Sequence, residues 1–350
     1  MQQRNTNIEF LRLVLILMVV LLHFNNDTMG GAFVLVKDRP FDNFALHFFE
    51  SLSVCAVNCF MIISGYFLYT NTKMNLGKVV DILLIVIFYR IFDYLMQWMF
   101  LEEQFSISNV ILCFLPANYF AIFYVVCYML SPFIARIWNV MGDTASNLLI
   151  TLLISIFIVV PTGLDLTVDL HLFTSTNYLS PITTNGNGAG YTIIQFLVML
   201  SLGMWLRKRQ LSPSSGIITI IYLLSSLIMT ICIAKCPSLY NYCSIFTVIT
   251  AVCLFLLFCK LEFQNKIINY CAKSCFAIFC IHTGGFANYL WHKIITEGYF
   301  TNGIFQTILW MFVSVSCMFL GCMALSIVMR VSFGKFKSYL ASRFPVYTIN

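Results

Sequence analysis

The chain has 350 residues, 60% of them apolar, 16% aromatic and only 10% charged, with a formal net charge of +6 and a mean hydropathy of +0.88. A soluble domain carries roughly a quarter charged residues, so this composition excludes one and implies an all-α integral membrane protein. The basic excess is not read as a nucleic-acid signal, because its distribution along the chain follows membrane topology instead.

A spanning helix needs about 20 apolar residues. Ten runs qualify, at 8–25, 46–69, 79–100, 119–137, 146–163, 191–206, 216–234, 242–259, 274–294 and 304–329. The first is too long for the apolar part of a signal peptide and lacks a small-residue cleavage site, so no cleavable leader is expected. The stretch 105–118 (FSISNVILCFLPAN) is too short to cross and reads as an interfacial or re-entrant piece. Two polar loops are expected outside the membrane. The first, 26–45, holds Asp27, Asp38 and Asp42; the second, 164–190, holds Asp165, Asp169 and His171 and is rich in Asn, Thr and Gly.

With the N-terminus placed in the cytoplasm, fifteen of the 20 Lys and Arg residues fall on inner loops and helix ends, four fall outside, and Arg90 sits in mid-span. Both termini are then cytoplasmic, as an even number of helices requires. The expected organisation is one bundle of about ten helices over 1–330, in the inner (cytoplasmic) membrane, followed by a short basic tail over 331–350. The run Arg207–Lys208–Arg209 reads as a topological anchor.

Most of the 14 cysteines sit inside apolar runs, where free Cys behaves as a small hydrophobe. The pairs Cys55/Cys59, Cys232/Cys236 and Cys271/Cys275 reflect one helical turn. No paired C-x2-C and no H-E-x-x-H occurs, so no metal site is expected.

The first run carries three ionisable side chains, Glu9, Arg12 and His23, which are costly in hydrocarbon. At about 100° per residue, the steps from Arg12 to His23 overshoot three full turns by only about 20°, and Glu9 shares the same face. That face must look into the bundle. The rise from Arg12 to His23 is about 16 Å, which puts Arg12 near the inner end and His23 near the outer end of one shaft. The plainer reading is an Arg12–Glu9 pair at the inner interface with His23 marking the outer boundary. Further candidates are Arg90 and Asp93, at i, i+3 in the third run and read as an ion pair, and His47 and Glu50, at the same spacing by the outer entrance to the second. Ser64 and Gly65 fit close helix packing better than catalysis.

Four stretches in order, FLR…VVLLHF, CFMIISGYFLY (59–69), YFAIFYVVCYMLSPFIARI (119–137) and SCFAIFCIHTGG (274–285), resemble the acyltransferase-3 family of membrane proteins. Members acylate surface polysaccharides, lipopolysaccharide, peptidoglycan and related acceptors. The resemblance runs from the first helix to the ninth. It implies that Arg12 and His23 match the Arg-x10-His pair the family needs, with Glu9 standing where many members have Asp. It also makes His282, in the last motif, a secondary candidate. After the SGYFL segment members often show Arg-x-x-Arg for the acyl donor; this chain offers Lys73 and Lys78 at a different spacing. An extra soluble esterase-like domain, carried by some members, is not expected here.

Physical chemistry supports the same assignment. Transfer to a sugar hydroxyl needs a base, and imidazole, with an unperturbed pKa near 6.5, suits neutral pH. Arg12, Lys73 and Lys78, on the cytoplasmic side, suit the phosphates of acyl-CoA, whose pantetheine arm is comparable to the shaft in length. The expected activity is transfer of an acetyl or other short acyl group from cytoplasmic acyl-CoA to an extracytoplasmic glycan. A polytopic secondary transporter or glycan exporter is the rival, but neither an internal repeat nor matched broken helices are evident.

Overall fold

The computed structural model describes residues 5–101, 104–174, 190–297 and 303–349. All ten apolar runs are helical. Seven helical segments among the described residues are long and apolar enough to cross a membrane: Thr6–Asn25, Pro40–Leu68, Tyr119–Val140, Asp143–Asp169, Ser215–Cys232, Pro237–Cys259 and Ile304–Ala341. The other three runs depart for local reasons. Leu76–Phe100 carries Lys78, Asp81, Arg90 and Asp93, Ile193–Arg209 is 17 residues long and ends in three cations, and the run 274–294 is broken after His282. The chain is thus a predominantly helical, multi-pass membrane protein with almost no sheet.

Several boundaries differ from expectation. The second run begins at Pro40, whose missing N–H costs nothing at a helix start. The 26–45 segment therefore holds a short helix, Ala32–Leu35, and a full turn of the next one. Helix Val160–Asp169 takes in the start of the expected 164–190 loop, of which 175–189 lies outside the described residues. The stretch 105–118 forms a helix, Ile107–Cys113, whose N-cap Ser106 accepts from the Asn109 N–H. The last helix continues past Arg330 to Ala341, so most of the segment expected as a tail is helical.

The described residues form two compact units. The first comprises Met1–Glu50, Asn75–Val125 and Gln264–Tyr347, and it holds α1 (Thr6–Asn25), α2 (Leu76–Phe100), α3 (Ile107–Cys113), α4 (Lys266–Cys271), α5 (Cys275–His282), α6 (Gly285–His292) and α7 (Ile304–Ala341). Helix α1 packs against α4, α5 and α7. Its start is tied to the start of α4, where Thr6 Oγ1 donates to Gln264 Oε1 at 3.0 Å and Asn265 N donates to Thr6 Oγ1 at 3.3 Å. Leu11, Leu15, Ile16, Val20 and Phe24 of α1 are fully buried, so the apolar face of the helix is spent on packing.

The second unit comprises Ser51–Met74, Val126–Phe263 and Thr348–Asn350. Its tightest seam joins the helix Ala56–Leu68 to the helix Ile193–Arg209. A Cβ on Gly65 would run into Leu200 O, and one on Gly203 into Ile62 O, so both glycines permit backbone contact. Ser64 is occupied locally, its Oγ donating to Phe60 O at 2.9 Å. A buried amide cluster lies in the same unit: Gln195 Nε2 donates to Asn58 Oδ1 (3.2 Å) and to Tyr242 O (2.8 Å), and Asn58 Nδ2 donates to Tyr242 O (2.8 Å). Pro132 interrupts Tyr119–Val140 and leaves the Tyr128 carbonyl without its backbone donor. Ser131 Oγ supplies a donor at 2.7 Å.

Candidate active site

His23 lies in the last turn of α1, with its ring Nδ1 2.6 Å from Nε2 of His282 in the last turn of α5. The ring centroids are 4.7 Å apart and the planes tilt by 35°. His282 is fully buried, whereas His23 is half-buried. Nδ1 of His282 in turn lies 2.6 Å from Ile278 O.

These contacts dictate where the hydrogens sit. A carbonyl oxygen only accepts, so Nδ1 of His282 carries the hydrogen. In a neutral imidazole the other nitrogen is then an acceptor, and Nδ1 of His23 must donate to it. A neutral His23 is left with a bare lone pair on Nε2. Such an arrangement can orient a base through a second residue held by a third group.

At the other end of α1, Arg12 Nη1 lies 3.2 Å from Glu9 Oε1, with side chains 34% and 8% exposed. The pair is the one expected at i, i+3. Lys78 is exposed in the first turn of α2, whose N-cap Asn75 accepts from the Lys78 N–H; Lys73 is exposed and belongs to the other compact unit.

Two expected pairs are not formed. Glu50 takes a different partner from His47: its Oε2 accepts from Asn25 Nδ2 at 2.7 Å, while the His47 ring stacks on Phe33 at 4.2 Å. Asn25 is buried, two residues beyond His23, and its Oδ1 has no partner among the described residues. Arg90 and Asp93 also part. Arg90 donates to Leu112 O (3.2 Å) and Ala117 O (3.1 Å); Asp93 accepts from Gly285 N and Phe286 N (both 2.9 Å) and from Gln97 Nε2 (2.8 Å).

The reason for this is the broken backbone. The chain stops being helical after His282 and restarts at Gly285, and α3 ends at Cys113. Helix ends at membrane depth need partners that lipid does not offer. Asp93 meets the N–H groups opening α6 and Arg90 meets a carbonyl closing α3, each charge matched to the helix end it faces. Both side chains line a polar cavity of about 460 Å³ with Gln97, Asn109, Asn118 and Thr283. A Cβ on Gly284 would collide with the Asp93 carboxylate, so glycine is needed at that break.

The sequence ranked His282 behind His23 and gave no sign that the two meet. Lys273, Arg330 and Lys337 are among the fifteen cations that the sequence places at inner loops and helix ends, and they line a second, small cavity. The repeated signal for His282 was its place in the SCFAIFCIHTGG motif; the three cations carried no motif at all.

No curated protein and no solved structure matches the chain. A family model described as an acyltransferase domain, Acyl_transf_3, matches residues 5–327, nearly the whole chain. On this match the chain belongs to the acyltransferase-3 family and is a membrane acyltransferase.

Proposed function

We propose that the protein transfers an acetyl or other short acyl group from cytoplasmic acyl-CoA to a hydroxyl of an extracytoplasmic glycan, with His23 as the general base. The observation that carries this reading is the hydrogen-bonded chain Ile278 O, His282, His23, which leaves Nε2 of His23 as a lone-pair acceptor on a half-buried ring.

In the proposed reaction the acceptor hydroxyl gives its proton to Nε2 of His23 as its oxygen attacks the thioester carbonyl. The C–S bond then breaks, the thiolate of coenzyme A leaves and takes the proton back from Nε2 of His23, and the ester remains on the acceptor. His282 acts as a positioning residue. It holds the ring of His23 in one tautomer and stabilises the imidazolium by accepting from its Nδ1. Arg12, at the opposite end of α1, holds phosphate, aided by Lys78. The rise of about 16 Å between Arg12 and His23 lets the thioester reach the histidines while the nucleotide stays at the inner surface.

Mass spectrometry of envelope glycans from cells with and without the gene, and with His23→Ala in its place, tests this reading. It predicts an acyl mass present with the unaltered protein and missing in both other cases. Glycans identical in all three would sink it.

A further inference from the structure

The histidine end of α5 has a counterpart at its other end. Lys273 immediately precedes the turn into α5, and Arg330, on α7, donates from Nη1 to Tyr270 O at 3.2 Å and approaches Ser274 Oγ at 3.5 Å. The guanidinium also lies 4.3 Å from the Tyr270 ring centroid. The lower part of α1 packs against this same turn, with Thr6 bonded to Gln264 and Asn265. Cations therefore gather at one end of the α1–α5 contact and the two histidines at the other. The separation is about 14 Å from Lys273 to His282 and about 16 Å from Arg12 to His23.

Lys273, Arg330 and Lys337 line one cavity of about 70 Å³, floored by Phe88 and Phe333, whose rings stack at 4.9 Å. Two carboxylates face this group. Asp81 Oδ1 lies 3.0 Å from Lys337 Nζ, and Glu9 pairs with Arg12. Lys273 is exposed, and Nη2 of Arg330 is buried with no partner among the described residues. A cation that only marked the membrane surface would keep its N–H groups in water, because a buried charged donor left unmatched is costly. The buried Nη2 instead suits an anionic oxygen, and the cavity has room for a phosphate group but not for a nucleotide.

We infer that Lys273 and Arg330 form a phosphate-binding subsite that grips the phosphorylated end of the acyl-CoA donor beside Arg12. The inference rests on the acyl-CoA reading above and adds to it the residues on α7 and before α5. Lys337, partly neutralised by Asp81, contributes less.

The test titrates full-length protein, in nanodiscs of neutral lipid, with coenzyme A and with adenosine 3′,5′-bisphosphate, which lacks the pantetheine arm. Lys273→Gln and Arg330→Gln should each weaken both ligands about ten-fold, and Lys273→Arg should retain most of the affinity. Arg330→Gln also removes the bond to Tyr270 O and can unsettle the fold, so Lys273→Gln is the decisive variant. Unchanged affinity in Lys273→Gln overturns the site while leaving the donor reading intact. A lipid headgroup is the other source of phosphate. For that source the variants would keep their coenzyme A affinity and lose only a preference for anionic nanodiscs, which also overturns the inference. Failure of the unaltered protein to bind coenzyme A overturns the donor reading and the subsite with it.

Discussion

Nδ1 of His23 lies 2.6 Å from Nε2 of His282 although 259 residues separate them in the chain. The contact holds the His23 ring in one tautomer, and under the proposed function the two residues should separate kinetically. His23→Ala should lower turnover by about 10²–10⁴-fold, the usual contribution of a general base, with expression and membrane insertion retained. His282→Ala should cost less, with KM for acyl-CoA unchanged. Because the base must be neutral, the rate should fall as pH drops, and His282→Ala should displace that acid limb. A purely structural histidine would lower the amount of folded protein and leave the limb where it was.

Arg12 and Glu9 form one pair, so their variants must be read together. Arg12→Ala should weaken coenzyme A binding more than it changes turnover of bound substrate, and it leaves the buried Glu9 carboxylate without the cation that faces it. Glu9→Gln combined with Arg12→Ala should restore expression without restoring affinity. Equal affinity in the unaltered protein and Arg12→Ala, measured by titration in detergent, would assign Arg12 to topology alone.

Asp93 closes the start of α6 with two hydrogen bonds and takes a third from Gln97. Asp93→Ala should destabilise the protein by about 0.5–1.5 kcal/mol for each hydrogen bond lost at the start of α6. Asp93→Asn, which keeps one acceptor, should fall between. Thermal unfolding in detergent should rank the three in that order. A Tm for Asp93→Ala equal to that of the unaltered protein would mean that water meets these groups without help.

Gly65 and Gly203 meet opposing backbone, whereas Gly216 has open space around its Cα. Gly65→Ala and Gly203→Ala should each cost about 1–3 kcal/mol by overpacking the seam. Gly216→Ala should be neutral or slightly stabilising. Expression and Tm of the three variants would check this, and similar values for all three would contradict the contact geometry.

Local features were legible in the sequence and tertiary ones were not. Apolarity and length placed the helical runs because lipid forces every backbone group into helical hydrogen bonds. The Arg12–Glu9 pair followed from i, i+3 spacing within one helix. The same spacing misled at Arg90/Asp93 and at His47/Glu50. There the demands of broken backbone and of Asn25, set by other helices, outcompeted the neighbour in sequence. The approach of α5 to α1, and hence of His282 to His23, depends on packing that no periodicity encodes. Gly284 signalled a break only once Asp93 was seen to fill the space a side chain would need.

The central claim is transfer across the bilayer by His23, and sided proteoliposomes test it most directly. Acyl-CoA with a labelled acyl group is supplied to the face carrying the N-terminus, and an envelope glycan extract from the host is enclosed on the other. The account predicts labelled ester on the enclosed glycan with the unaltered protein, none with His23→Ala, and no coenzyme A on the glycan side. Labelled ester forming at an undiminished rate with His23→Ala, or only when donor and glycan share one side, would contradict it.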